Sequence, residues 1–140
     1  MIVLDTNVVS EAVRPRPDEV VGAWLAARPS SSLFITTITA AELLYGLELL
    51  PDGRRRAALT DAVRSILREG FRGRVLPFDE AAATAYATVA ATRRGIGRPL
   101  SALDAQIAAI ARSRGAGVAT RNVADFDECG IEVIDPWSAR

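Results

Sequence analysis

Met1-Ile-Val-Leu-Asp-Thr-Asn-Val-Val-Ser10 is the stretch whose reading decides the fold. The apolar residues Ile2, Val3 and Leu4 run straight into Asp5, Thr6 and Asn7, and apolar residues resume at Val8 and Val9 with no room for a loop. The pattern predicts a short buried strand that delivers a carboxylate at its carboxyl end. In an open α/β sheet, ligands bind outside the carboxyl ends of the strands, so Asp5 marks a candidate site. A second reading has Asp5 or Thr6 only capping the helix that follows. The rest of the chain decides between them.

Working outward, a short helix through Glu11 is expected to end before Arg14-Pro15-Arg16-Pro17, since each proline disfavours helix in the residue before it. Asp18 opens a second helix with Val20, Val21, Trp24 and Leu25 on one face, and Leu33-Phe-Ile-Thr36 reads as a second strand. Thr39-Ala-Ala-Glu42 has the capping-box pattern of a helix that runs through Leu50. That helix is apolar on nearly every side, which predicts that it is mostly buried with Glu42 in its first turn. Pro51-Asp52-Gly53 breaks the chain before an amphipathic helix from Arg54 to Glu69, with Leu59, Val63, Ile66 and Leu67 as its inner face. A third strand is expected over Arg74–Phe78, then an Asp79 cap and an alanine-rich helix from Glu80 to Arg93. Arg94–Leu100 is a basic connection. Ser101-Ala-Leu-Asp104 is a second capping box, and its helix turns Leu103, Ile107 and Ile110 inward as far as Arg114. Gly117–Thr120 and Ile131–Ile134 complete five strands, and Asp135-Pro-Trp137 ends the fold. The alternation of strands and helices argues for an α/β protein with a parallel sheet and helices on both faces.

Composition narrows the chemistry. At 140 residues, 49% hydrophobic and 24% charged, the chain is expected to be one soluble domain spanning residues 1–140. The opening apolar run stops too early for a signal peptide and no stretch approaches a membrane span, so a cytoplasmic protein is expected. The lone Cys129 cannot form an internal disulfide and reads as a buried, inert thiol. There is no histidine, and all 17 basic residues are arginine. Histidine-assisted nucleophiles, a P-loop lysine, a Schiff base and imidazole-bound zinc are therefore excluded. Carboxylates without histidine or lysine most often act through a hard divalent cation. The net charge of zero leaves any nucleic-acid contact to local arginine clusters.

The predicted topology brings Asp5 and the Asn122–Asp125 region to strand ends, and Glu42 and Asp104 to helix starts of matching polarity. Two carboxylates about 5 Å apart repel by roughly 3 kcal/mol at an effective dielectric near 20. A cluster of four calls for a divalent cation, and oxygen ligands alone favour Mg²⁺ or Mn²⁺. That points to phosphodiester hydrolysis by metal-bound water.

Ile-Val-Leu-Asp5-Thr-Asn7, Thr39-Ala-Ala-Glu42, Asp104 within Leu103-Asp-Ala-Gln-Ile107, Ala119-Thr-Arg-Asn122 with Asp125-Phe126, and Asp135-Pro-Trp137 together resemble a PIN domain of the VapC and FitB-like toxin group. The resemblance covers essentially the whole chain with its motifs in order. It implies a five-stranded parallel sheet, a Mg²⁺- or Mn²⁺-dependent endoribonuclease that is the toxin of a type II toxin–antitoxin pair, a homodimer, and inhibition by a small cognate antitoxin. Carried over by position, Asp5, Glu42 and Asp104 are catalytic metal ligands, supported by Thr6, Asn7 and Thr120. Branches of the family differ in the fourth acid: some carry it directly after the Thr-Arg pair, where this chain has Asn122, and others three residues later, at Asp125. Asp125 is assigned as the ligand and Asn122 as an auxiliary polar group.

Two other aspartate-dependent folds fit less well. A haloacid-dehalogenase-like phosphatase wants a second acid where Asn7 stands, and both it and a response-regulator receiver want a lysine. The remaining alternative is a PIN-fold module that holds RNA or protein without cutting. Arg54, Arg55, Arg56, Arg93, Arg94, Arg98 and Arg121 are the RNA-contact candidates. The apolar helix to Leu50 and its alanine-rich counterpart exceed what one small core needs, which predicts a homodimer and a groove for an antitoxin segment.

Overall fold

A computed structural model describes residues 1–138. Five strands, β1 (Ile2–Leu4), β2 (Leu33–Thr36), β3 (Val75–Leu76), β4 (Gly117–Ala119) and β5 (Val133–Ile134), form one sheet in the order β3-β2-β1-β4-β5. Every pairing is parallel. The helices are α1 (Thr6–Ala12), α2 (Glu19–Ala26), α3 (Thr37–Glu48), α4 (Arg54–Ser65), α5 (Glu80–Gly95), α6 (Ala102–Ser113) and the single turn α7 (Val123–Phe126).

Alternation along the strands sends successive side chains to opposite faces. Val3 and Val118 pack with Ala82 and Val89 of α5 and with Ile107 and Ile110 of α6. Leu4, Ala119, Leu33 and Ile35 meet Val8, Val9, Val21, Trp24, Leu43, Leu47 and Val63 from α1 to α4. Helices therefore cover both faces, and the sheet between them is dry.

The strand order also places the site. From β1 the chain builds outward through β2 and β3, then returns to the other side of β1 for β4 and β5. The crevice of such a sheet opens at this reversal, beyond the ends of β1 and β4. Leu4 is in register with Ala119, so the next residues, Asp5 and Thr120, stand side by side at that crevice.

Several boundaries and faces differ from the sequence reading. Strand β3 covers only Val75–Leu76, because Pro77 has no N–H to continue the ladder. Strand β5 covers Val133–Ile134 and not the four residues from Ile131. Helix α3 starts two residues before Thr39, and its cap is Thr36, whose Oγ1 accepts from Thr39 N at 3.1 Å. Glu42 consequently sits beyond the first turn. Nor is α3 mostly buried: Leu43 and Leu47 face the core, while Tyr45 and Leu49 are each 66% exposed. The helix from Arg54 changes at Ile66 into a π-helical turn through Gly70, closed by Phe71 N donating to Ile66 O at 2.9 Å. Leu103 points outward at 46% exposure, since the core face of α6 is taken by Ile107 and Ile110. The caps Asp18, Asp79 and Ser101 stand where their sequence patterns place them.

Candidate active site

Asp5 ends β1 and caps α1, so both readings of the opening stretch hold at once. It is only 5% exposed. Its Oδ1 accepts from Thr6 N at 2.8 Å and its Oδ2 from Thr120 Oγ1 at 2.8 Å, while its own N–H donates to Ala119 O at 2.9 Å. Thr120 Oγ1 also accepts from Asn122 N at 3.0 Å and from Asn7 Nδ2 at 3.4 Å. One hydroxyl therefore ties the start of α1, the tip of β4 and the turn into α7 to the same carboxylate.

Glu42 does not reach back to cap its own helix. Its Oε1 accepts from Thr6 Oγ1 at 2.8 Å, and Thr6 Oγ1 lies 3.0 Å from Thr39 Oγ1. Because Thr6 spends its single proton on Glu42, the Thr39 hydroxyl is the donor in that second contact. Asp104 is half-buried in the first turn of α6, where Ser101 Oγ accepts its N–H at 3.2 Å.

Asp5, Thr6, Glu42 and Asp104 line a cleft of about 590 Å³ together with Asn7, Ser10, Glu11, Arg14, Arg121, Asn122 and Trp137. Asp5, Glu42 and Asp104 thus share one cavity, as the sequence predicts. Asp125 is not part of its lining. It stands exposed on α7, though its charge still raises the Asp104 carboxyl. Among the described residues no group of three or more Asp, Glu or Cys side chains is gathered closely enough to hold a metal ion between them.

Electrostatics separate the acids. Burial pushes Asp5 up from 3.8 to about 6, against the opposing hydrogen bonds from Thr120 and Thr6, and the charges of Asp104 and Glu42 add to the rise. Burial also raises Asp104, opposed by Ser101 and assisted by Asp125. Among the described residues, ion pairs engage Glu11, Glu48, Asp52, Asp79 and Asp127, and none engages Asp5, Glu42, Asp104 or Asp125. The cleft therefore holds three carboxylates with which neither of its arginines, Arg14 and Arg121, forms an ion pair among the described residues. That donor set fits Mg²⁺ or Mn²⁺, which bind through a few carboxylates and keep several waters, so a fully closed cage is not required.

The arginine candidates divide sharply. Arg93 is 4% exposed, and its guanidinium donates to Arg98 O at 2.6 Å, Asp127 O at 2.7 Å, and Ala124 O and Asp125 O at 3.2 Å each. It is a structural clamp under α7 and cannot meet RNA. Arg56 is held by Asp52 and Glu48, and Arg98 by Asp127 and Ala124 O. Arg54, Arg55 and Arg94 are exposed, and of the seven candidates only Arg121 lines the acidic cleft.

Sequence reasoning missed Thr39 as a partner of Thr6, and it missed Glu11, Arg14 and Trp137 as cleft residues. The helical spacing of Asn7, Glu11 and Arg14, four and then three residues apart, is a signal that would have placed them on one face.

Comparison with known proteins agrees with this geometry. The PIN domain family model matches residues 2–130. The VapC ribonuclease Y4jK of Sinorhizobium fredii is 40% identical over 137 residues, covering 98% of both chains. Toxin FitB of Neisseria gonorrhoeae is 39% identical, covering 98% of this chain and 99% of its own. The crystal structure of FitAcB from Neisseria gonorrhoeae superposes with a TM-score of 0.92 at 38% identity, covering 99% of each chain. With its sheet order, its acid-lined cleft and its near full-length relatives in agreement, the chain belongs to the PIN-domain family, in the VapC and FitB-like toxin group.

Proposed function

We propose that this chain is a Mg²⁺- or Mn²⁺-dependent endoribonuclease, the toxin of a toxin–antitoxin pair, which hydrolyses RNA phosphodiesters at the Asp5 cleft. The observation that carries this reading is Asp5 itself: a buried carboxylate at the sheet's reversal point, held by neutral donors and sharing a cleft with two more acids, none of them in an ion pair among the described residues. A relative named as a ribonuclease supplies the substrate class.

Asp5, Glu42 and Asp104 hold the cation, with Asp125 as a more distant fourth acid. Thr120 and the Thr6 amide fix both oxygens of Asp5, while the Thr39–Thr6 pair aims Glu42. When bound, the cation supplies Lewis acidity toward a phosphate oxygen and a water of lowered pKa, which accounts for hydrolysis without histidine or lysine. Loading the site ionises Asp5, so cation affinity falls as pH drops through about 6.

The expected partners follow from two further surfaces. A mainly apolar groove between α1, α3 and α4, lined by Val13, Leu43, Leu47, Leu59 and Val63, opens beside Glu42 and suits a segment of a small antitoxin. The exposed Leu44, Tyr45 and Leu49 suit a second copy of the chain in a homodimer. No helix among the described residues is long and apolar enough to cross a membrane. We place the reaction in the cytoplasm, with the RNA.

The test is cleavage of mixed RNA with Mg²⁺, with Mn²⁺ and with EDTA, followed by mapping of product ends. Cleavage that needs the divalent cation and is lost in Asp5→Asn is the expected result. RNA binding without cleavage in either cation would replace this reading with a binding module.

A further inference from the structure

The cleft has a second wall that the acids do not explain. Arg121 lines it, yet among the described residues its guanidinium pairs with no carboxylate. Three acids free of ion pairs, Asp5, Glu42 and Asp104, share the same cavity, and a mobile arginine would ordinarily swing to one of them. Two anchors oppose this. The Arg121 backbone N–H donates to Asn7 Oδ1 at 3.3 Å, and the guanidinium carbon stands 5.1 Å from the centroid of the Trp137 ring. The Trp137 backbone is fixed, since its amide N–H donates to Asp135 Oδ1 at 2.9 Å in the turn after β5. A guanidinium placed over an aromatic face keeps its in-plane N–H groups free to donate.

The other arginine of the cleft is already engaged. Arg14 Nη1 lies 3.4 Å from each oxygen of Glu11, a carboxylate buried at the cleft wall. Arg121 is thus the cation of this cavity with donors to spare.

We propose that Arg121, held on Trp137, forms a subsite for the phosphate of a nucleotide next to the scissile one in single-stranded RNA. Trp137 keeps the guanidinium off the acids, which leaves those free for the metal, and Arg121 holds the strand across them. The planar guanidinium also offers a surface on which an unpaired base stacks, a contact open to single strands and closed to a paired helix. This subsite rests on the ribonuclease reading above, and it adds what positions the strand.

The test uses the Asp5→Asn background, so that a fluorescent single-stranded RNA of mixed sequence is bound without being cut, with Kd measured across a series of KCl concentrations. Arg121→Ala in that background is expected to weaken binding about tenfold at low salt and to reduce the salt slope by roughly 0.7, the loss of one phosphate contact. Trp137→Ala is expected to weaken binding as well, and Arg121→Lys to restore the slope with only part of the affinity, because it keeps the charge without the planar stack. In the otherwise wild-type enzyme, Arg121→Ala is expected to raise KM more than it lowers kcat. Unchanged affinity and slope in Arg121→Ala would overturn the subsite, as would a loss confined to kcat. Binding of RNA by the wild type without cleavage in Mg²⁺ or Mn²⁺ would instead overturn the ribonuclease reading itself, so the two failures are distinguishable.

Discussion

The two halves of the acidic site are built to different standards. On the sheet side, Asp5 is buried and both oxygens accept hydrogen bonds from groups fixed by β1, α1 and β4. On the α7 side, Asn122 and Asp125 sit exposed on a four-residue helix. The first half derives its geometry from a parallel ladder and two cores. The second depends on one buried residue from another helix: Arg93 of α5 grips three carbonyls of the α7 turn. The lesson is that one acidic site is rigid where the sheet supplies it and adjustable where a side chain must hold a short turn in place. The family's variation in the position of its fourth acid falls in the adjustable half.

The largest effect is expected from breaking the clamp. Arg93→Ala removes the buried donor shared by the carbonyls of Arg98, Ala124, Asp125 and Asp127, of which Ala124 O keeps Arg98 Nη2, and should destabilise the fold by about 3 kcal/mol, as removing a buried, charged hydrogen-bonding partner does. Chemical denaturation measures it. Arg93→Lys should recover only part, since an ammonium cannot fork to all four acceptors. A loss no larger than that of a surface substitution would show that the α7 turn stands without the clamp.

The sheet side is tested by pH. Asp5 has a folded pKa near 6 against 3.8 for the free residue, so the folded protein binds the extra proton. Stability in EDTA should be greatest below about pH 4, fall as pH rises toward about 7, and lose about 3 kcal/mol over that range. In Asp5→Asn that slope should shrink to the part that the raised Asp104 carboxyl contributes, and at neutral pH the metal-free variant should be the more stable protein. A metal-free stability that rises over the same range in the wild type, or a slope undiminished in the variant, would contradict the assignment.

Much of the sheet side is legible in the sequence because its determinants are local. An apolar run that meets Asp5-Thr6-Asn7 fixes β1 and its tip, and Asp18, Asp79 and Ser101 announce helices through hydrogen bonds spanning two or three residues. Long-range partners are not legible this way. Arg93 resembles its neighbour Arg94 in sequence, and only the fold brings the carbonyls of residues 124 to 127 onto it. Thr36 and Thr39 are both plausible caps for α3, and what separates them is that Thr39 faces Thr6 across 33 residues of chain. The apolar periphery of α3 gives periodicity no face to choose, which is why the sequence predicts a mostly buried helix and does not single out Tyr45 and Leu49 as exposed.

A smaller effect is expected at the hydroxyl that joins the two halves. Thr120→Val keeps the shape and removes the donor to Asp5 Oδ2 and the acceptor for Asn122 N. Cation affinity should fall by about tenfold or more, the usual cost of losing a group that orients a ligand. Titration calorimetry reads it, and an unchanged affinity would mean that Asp5 is held well enough by Thr6 N alone.

The finest distinction lies within α7. Asp125→Asn removes a charge that bears on Asp104 and should lower cation affinity and cleavage several-fold, whereas Asn122→Ala should have the smaller effect. The reverse ranking in a Mg²⁺ titration of cleavage would give the fourth position to Asn122, the residue that lines the cleft.

The central claim is that Asp5, Glu42 and Asp104 hold a divalent cation in the cleft, and titration of Mn²⁺ into the wild type and into Asp5→Asn tests it most directly. The account predicts saturable binding to the wild type at neutral pH, weakening as pH drops through about 6, and no measurable binding to the folded variant. Equal Mn²⁺ affinity in the two proteins would contradict it.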